Sequence, residues 1–154
     1  MAAVVGWRIV KEKHAKFAFS GEGARIFEGR WNSAGVRVVY CSENLALAAL
    51  EILVHTQPVI IRDKFHAFRV TWDESLMTTM DSKKLPKGWN AQPPGPVSKS
   101  IGDEWIRSER SAVLALPSIV IPLEQTFLLN PKHRDFVKIK IKDSGTFALD
   151  PRLR

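Results

Sequence analysis

The chain has 154 residues, a length that fits one domain and leaves little room for a second. Hydrophobic residues make up 45% and charged residues 25%; this balance excludes a disordered tail, and the lack of any run of about 18 apolar residues excludes a membrane-spanning helix. Net charge is +7, which invites a polyanionic partner, while the single cysteine, Cys41, excludes an intramolecular disulfide.

In chain order, Val4 to Val10 reads as a short strand. Arg8, Lys11 and Lys13 cut its apolar character short, so no signal peptide is expected and a reducing cytoplasm is the expected setting. Phe17 to Gly35 holds Gly21, Gly23, Gly29 and Gly35, four of the chain's nine glycines. That density predicts a long shaped loop where backbone approaches something closely. Val36 to Cys41 reads as a buried strand with an inert thiol at its end. Ser42 is expected to cap a helix running to about His55 that Pro58 terminates.

Phe68, Val70 and Trp72 alternate with Arg69 and Thr71, which predicts another strand. Pro86 to Pro96 holds four prolines and two glycines and reads as a surface excursion or lid. A helix is expected over Ser100 to Arg110, followed by strands at Ser111–Leu116, Ile119–Ile121, Phe127–Leu129 and Phe136–Ile141. Six or seven strands and two or three helices, without regular alternation, predict an α+β fold.

Charge gathers at the end. From Pro131 onward Lys132, Arg134, Lys138, Lys140, Lys142, Arg152 and Arg154 face only Asp135, Asp143 and Asp150, a net +4. Val137, Ile139 and Ile141 alternate with lysines, so a solvated strand face is favoured over a nucleic-acid contact.

Three residues invite chemistry. Glu51 lies in an apolar helix, and its i±3 and i±4 neighbours Leu47, Ala48, Val54 and His55 offer no cation. The pattern leaves open whether it faces solvent or a wet cleft. Arg30, in GRWN after Gly29, has the planar fork that grips phosphate or carboxylate, although a surface arginine lying on Trp31 satisfies the pattern equally simply. Tyr40 is the chain's lone tyrosine and reads first as a core aromatic. GEGARI has Ile26 where a dinucleotide fingerprint needs its third glycine, and no P-loop, nucleophile elbow or HExxH occurs. His14, His55, His66 and His133 are scattered and expected to be structural, and no Cys/His cluster has zinc spacing, so no metal is expected.

Taken together, GEGARIFEGRWNSAG, VVYCSENLALAALE, ALPSIVIP and LLNPKH resemble the RES-domain family, named for its Arg, Glu and Ser. The resemblance runs from about Trp7 to Phe136 and treats residues 1–154 as a single domain. It implies a strongly bent, mixed β-structure with a few short helices around an ADP-ribosyltransferase-like core. It also implies a toxin of a bacterial toxin–antitoxin pair that depletes NAD by breaking the nicotinamide–ribose bond, with water or inorganic phosphate as acceptor. NAD is then substrate, and no cofactor is implied. Carried over, Arg30, Tyr40 and Glu51 are the catalytic residues, and Ser118 is the family serine, with Ser108 and Ser111 as neighbouring alternatives. Trp31, Asn32 and Asn130 enter with the GRWN and LLNPKH motifs as substrate-binding residues. One departure is Glu28, which stands where the family often has a second glycine.

The implied partner is an Xre-like DNA-binding antitoxin that covers the cleft, drawn by Arg30 and Arg37. DNA is then contacted through the antitoxin, with the basic tail adding at most a salt-sensitive part, and the complex has room for a homodimer. The alternatives are ADP-ribosyl transfer to a macromolecule and a small basic nucleic-acid-binding domain.

Overall fold

The computed structural model describes residues 2–55 and 63–153; Pro58, expected to end a helix, lies outside the described residues. Alternating β-branched and aromatic residues in β1 (Ala3–Lys11) and β3 (Lys64–Asp73) build one long antiparallel ladder, from Ala3 opposite Asp73 to Lys11 opposite Phe65. The other strands are β2 (Val39–Ser42), β4 (Met77–Thr79), β5 (Val113–Pro117), β6 (Gln125–Leu129) and β7 (Lys140–Ala148). They form one seven-stranded sheet in the order β4-β5-β6-β2-β1-β3-β7. With helices α1 (Glu22–Ile26), α2 (Leu45–His55) and α3 (Pro96–Ser108), this is the α+β architecture the sequence predicts.

The sheet is nearly two sheets. Its centre, β1 against β2, is held by the single register pair Trp7–Ser42. On one side of that seam β5 is buried along its whole length, and Trp105 of α3 is fully enclosed with Trp31, Leu114, Leu116 and Leu128. On the other side α2 seats Ala48 on Ile9 and Phe65, with Ile52 and Leu53 against the same cluster. Burying a Leu- or Phe-sized side chain stabilises by about 1.5–3 kcal/mol, so each half carries its own apolar anchor.

Local chemistry moved several boundaries. Asn44, not Ser42, caps α2: its Oδ1 accepts from the Leu47 N–H at 2.7 Å, while Ser42 still belongs to β2. β2 begins at Val39 because Val36 is drawn into a turn, its N–H donating to the Ser33 carbonyl at 3.2 Å. The glycine-rich stretch is not all loop, since Gly21 at φ +77° opens α1. α3 starts at Pro96, a residue preset for a first helical turn, and ends before Glu109 at φ 54°.

Ile119–Ile121 is not a strand. The Ser118 hydroxyl accepts from the N–H groups of Val120 at 3.1 Å and Ile121 at 3.2 Å, which curls the chain into the β5–β6 hairpin turn. Phe136–Ile141 also splits: Arg134–Lys138 forms a 3-10 turn capped by His133, and the strand begins at Lys140. The expected alternation therefore fails at Val137, which is 86% exposed in that turn.

Candidate active site

A cleft of about 620 Å3 opens where the two halves of the sheet diverge. α2 forms one wall, because Ala48, Glu51, Ile52 and His55 recur at helical spacing on the same stripe. The unpaired carboxylate of the sequence is thus aimed into the cleft, and among the described residues Glu51 makes no ion pair. Its Oε1 accepts from the Ser118 hydroxyl at 2.8 Å. Ser118 is fully buried, and two backbone N–H groups occupy its lone pairs, so its one proton points at Glu51. Oε2 of Glu51 has no protein donor among the described residues. Ser118, the family serine of the resemblance, therefore orients the carboxylate.

Arg30 faces the same cleft, only 8% exposed. Its Nη1 donates to the carbonyls of Trp89 at 3.0 Å and Ala91 at 2.9 Å, both in the proline-rich excursion, and its own carbonyl accepts from Ser98 Oγ at 2.7 Å. Burial lowers its pKa and Glu51 draws it back up, so the two charges sense each other. Trp31 is buried and stacks on Trp89, centroids 5.8 Å apart. Behind it α3 comes so close that a Cβ on Gly102 would lie 1.7 Å from the Trp31 carbonyl oxygen. The excursion is therefore a clamp on GRWN.

Tyr40 lines the cleft with its ring and braces the loop with its hydroxyl. The hydroxyl donates to Asn32 Oδ1 at 2.6 Å and accepts from the Trp31 N–H at 3.1 Å, and burial pushes its pKa above the usual phenol range. Gly29 fits beneath it because a Cβ there would stand 2.6 Å from that oxygen. Asn32 is fully buried; its Oδ1 also accepts from the Gly29 N–H at 3.0 Å, and its Nδ2 donates to the Ala24 carbonyl at 2.8 Å. Asn32 shapes the loop from inside and lies outside the cleft lining. Asn130 is outside it as well, buried after β6, with Oδ1 accepting from the Lys132 N–H at 3.0 Å.

The match of the RES domain model to residues 5–150 decides the family. The chain belongs to the RES-domain family. It is 34% identical over 149 residues to "Toxin Res" of Yersinia enterocolitica, covering 96% of this chain and 98% of that protein. It is 36% identical over 152 residues to the "Prs ADP-ribosylating toxin" of a Sphingobium species, covering 96% and 94%. Its fold is similar to a chain in the crystal structure of the Mycobacterium tuberculosis MbcT–MbcA toxin–antitoxin complex, with TM-score 0.77, 13% identity, and 99% and 87% of the two chains covered.

Within this RES domain only one of the three candidate serines touches a cleft residue. Ser108 donates to the Trp105 carbonyl at 2.7 Å, and Ser111 accepts from Trp105 Nε1 at 2.9 Å, both on α3's side of the core. Glu28 borders the cleft and pairs with Lys99 Nζ at 2.7 Å, an ion pair that holds its carboxyl below the usual range. Arg37 is engaged by Glu22 at 2.6 Å and does not line the cleft, so it offers no free charge to a partner there.

Sequence reasoning passed over Arg8, reading it as an interruption. It lines the cleft from β1, donating from Nε to the Ala18 carbonyl at 2.6 Å and from Nη1 to the Tyr40 carbonyl at 2.9 Å. The signal was present: Val4, Gly6, Arg8 and Val10 share one strand face, and the others on it are apolar or glycine. Cys41 also borders the cleft, but burial pushes its thiol up to about 12, so it stays protonated and inert. Among the described residues no group of three or more His, Cys, Asp or Glu is placed to hold a metal ion, and no helix is long and apolar enough to cross a membrane.

Proposed function

We propose that this RES-domain protein is a toxin that cleaves the nicotinamide–ribose bond of NAD, with water or inorganic phosphate as acceptor, in the cytoplasm of its cell. The observation that carries this reading is a buried arginine and an oriented, otherwise unpaired carboxylate facing one cleft. NAD has complementary parts: a pyrophosphate that takes an arginine fork and a ribose that becomes cationic as its bond to the pyridinium breaks.

The bonding electrons leave with the pyridinium nitrogen, so nicotinamide departs neutral and needs no proton. Charge develops on the ribose. Glu51 Oε2 holds a ribose hydroxyl and sets negative charge beside the oxocarbenium centre, while Ser118 keeps Oε1 in place. Arg30 reaches a phosphate with the guanidinium nitrogens that Trp89 and Ala91 do not occupy. Tyr40 offers its ring to the nicotinamide. Water or phosphate then forms the new C1′–O bond, water losing its proton to solvent. Trp31 borders the cleft and is placed to meet substrate, while Asn32 and Asn130 support this site from within the fold.

A second reading, transfer of ADP-ribose to a macromolecule, is favoured by the relative named an ADP-ribosylating toxin. It uses the same bond cleavage and differs in acceptor. An enzyme that drains NAD needs restraint; the fold's likeness to a chain from a toxin–antitoxin complex supports a cognate antitoxin, and we take that antitoxin to be Xre-like, DNA-binding and seated over this cleft.

The deciding experiment mixes purified chain with NAD, with and without phosphate and with and without a cell lysate, and identifies products by mass. Free nicotinamide with ADP-ribose or its 1″-phosphate is expected, and Glu51→Gln is expected to lower the rate about 10²–10³-fold. Near-parental turnover by folded Glu51→Gln removes the assignment, and ADP-ribose found only on macromolecules selects the second reading.

A further inference from the structure

The basic tail has a structural neighbour that the sequence does not reveal. Arg69 of β3 stands directly opposite Lys142 of β7 in an antiparallel ladder, and Lys140 faces Thr71 two residues along. Directly opposed residues project from the same face of a sheet, so Arg69, Lys140 and Lys142 form one patch. All three are exposed. Like charges opposed across a ladder destabilise it, and among the described residues no carboxylate pairs with them. Asp143 projects from the other face and pairs with His66. Asp73, at the far end of the same face, is engaged by the Ser75 N–H at 3.0 Å.

Elsewhere in the tail Lys138 pairs with Asp135 at 3.2 Å and Arg152 with Asp150 at 2.7 Å, while Lys132 and Arg134 precede the strand and lie off this ladder. Among the described residues, Arg69, Lys140 and Lys142 make no ion pair. The patch also lies outside the cleft, touching its wall only through Trp7, the partner of Arg69 on β1.

We infer that this β3–β7 face is a contact surface for the phosphate backbone of duplex DNA, separate from the cleft. Arg69 and Lys142 lie side by side across the ladder, Lys140 lies two residues along β7, and Thr71, whose Oγ1 accepts from Arg69 Nη1 at 3.4 Å, takes the fourth corner, so three cations are held close together on a rigid strand pair. The free edge of β7 does not suit a peptide strand: its pairing shifts register between His66 and Phe68, and Gly145 sits at φ +93°. Such contacts carry charge without sequence, so the binding is weak, non-specific and strongly salt-dependent.

The test is fluorescence anisotropy of the full chain with a labelled duplex of arbitrary sequence, from about 50 to 200 mM salt. Arg69→Gln/Lys140→Gln/Lys142→Gln is compared with Lys83→Gln/Lys84→Gln/Lys87→Gln, which removes equal charge from the start of the proline-rich excursion and the residues just before it. If all three residues meet phosphates, the first triple variant lowers the salt slope by about 2.7, so the parental chain loses about 40-fold more affinity than the variant over that range. The control keeps the parental slope, and NAD cleavage by the patch variant is unchanged. Equal losses in both variants would assign binding to net charge and overturn the inference. So would parental binding by the patch variant, or tighter binding of polyglutamate than of duplex at the same salt.

Discussion

Ser118→Ala separates a residue that touches substrate from one that acts through another. The hydroxyl makes three contacts: it donates to Glu51 at 2.8 Å and accepts from Val120 and Ile121 at 3.1 and 3.2 Å. Alanine leaves two hairpin N–H groups without their acceptor in a fully buried position. Each unsatisfied buried group costs about 1–3 kcal/mol. Partial access of the turn to water reduces the sum, so a loss of about 2 kcal/mol is expected, or about 4–8 °C in Tm for a chain of this size. In catalysis Glu51 keeps its charge but loses its orientation. A hydrogen bond to a charged group contributes about 1.5–3 kcal/mol, of which part is felt in the transition state, so kcat falls about tenfold with KM near parental. The assay is NAD turnover well below the variant's Tm. The decisive measurement is the double variant: on a Glu51→Gln background, Ser118→Ala should lower kcat no further. A second, independent tenfold loss would show that Ser118 acts on the substrate, and the positioning argument would fail.

Arg30→Lys should damage NAD cleavage nearly as much as Arg30→Ala, because an ammonium cannot bond two carbonyls of the clamp and still present a planar fork to phosphate; steady-state kinetics showing either variant close to parental would remove Arg30 from the site. Gly102→Ala should lose about 3 kcal/mol or more in urea unfolding, since α3 must retreat from a Trp31 carbonyl 1.7 Å from the new Cβ. The same variant should raise KM for NAD, because the displaced residue adjoins Arg30; an unchanged urea midpoint would contradict the packing.

Alternation and helical periodicity made β1, β3 and α2 legible, because each buries one face against a core. Boundaries set by single side-chain hydrogen bonds were not legible. The Asn44 cap, the Ser118 turn and the His133-capped 3-10 turn each replace a reading based on hydrophobic pattern with a local contact. At the site, a carboxylate without helical partners singled out Glu51 but left open whether it faces solvent or a cleft; the fold decides this by bringing the Ser118 hydroxyl to it. Arg30 was visible as a type but not as a buried group, because its carbonyl acceptors lie 59 and 61 residues away. Asn32 shows the converse. Its motif reads as substrate contact, but its amide is consumed by the loop that displays Arg30. Arg8 was hidden for another reason: an arginine in a strand interrupts hydropathy whether it points to water or to a cleft.

The placement of the two site charges follows from the seam in the sheet. Glu51 travels with α2, which is seated on Ile9 and Phe65 of the β1–β3 half. Arg30 travels with GRWN, packed with Trp105, Leu114 and Leu128 on the β5–β6 half. With β1 and β2 sharing one register pair, the ladder alone holds these halves together weakly. The Ser118–Glu51 hydrogen bond crosses that gap: the serine directly follows β5, on Arg30's side, and grips the carboxylate from the other. Arg8 crosses it as well, from β1 to the Tyr40 carbonyl on β2. Both charges are therefore referred to one frame, the β5–β6 half, even though one of them is delivered by the opposite half. A serine at the turn of a hairpin, remote from Glu51 in sequence, thus sets where the Glu51 carboxylate stands in the cleft.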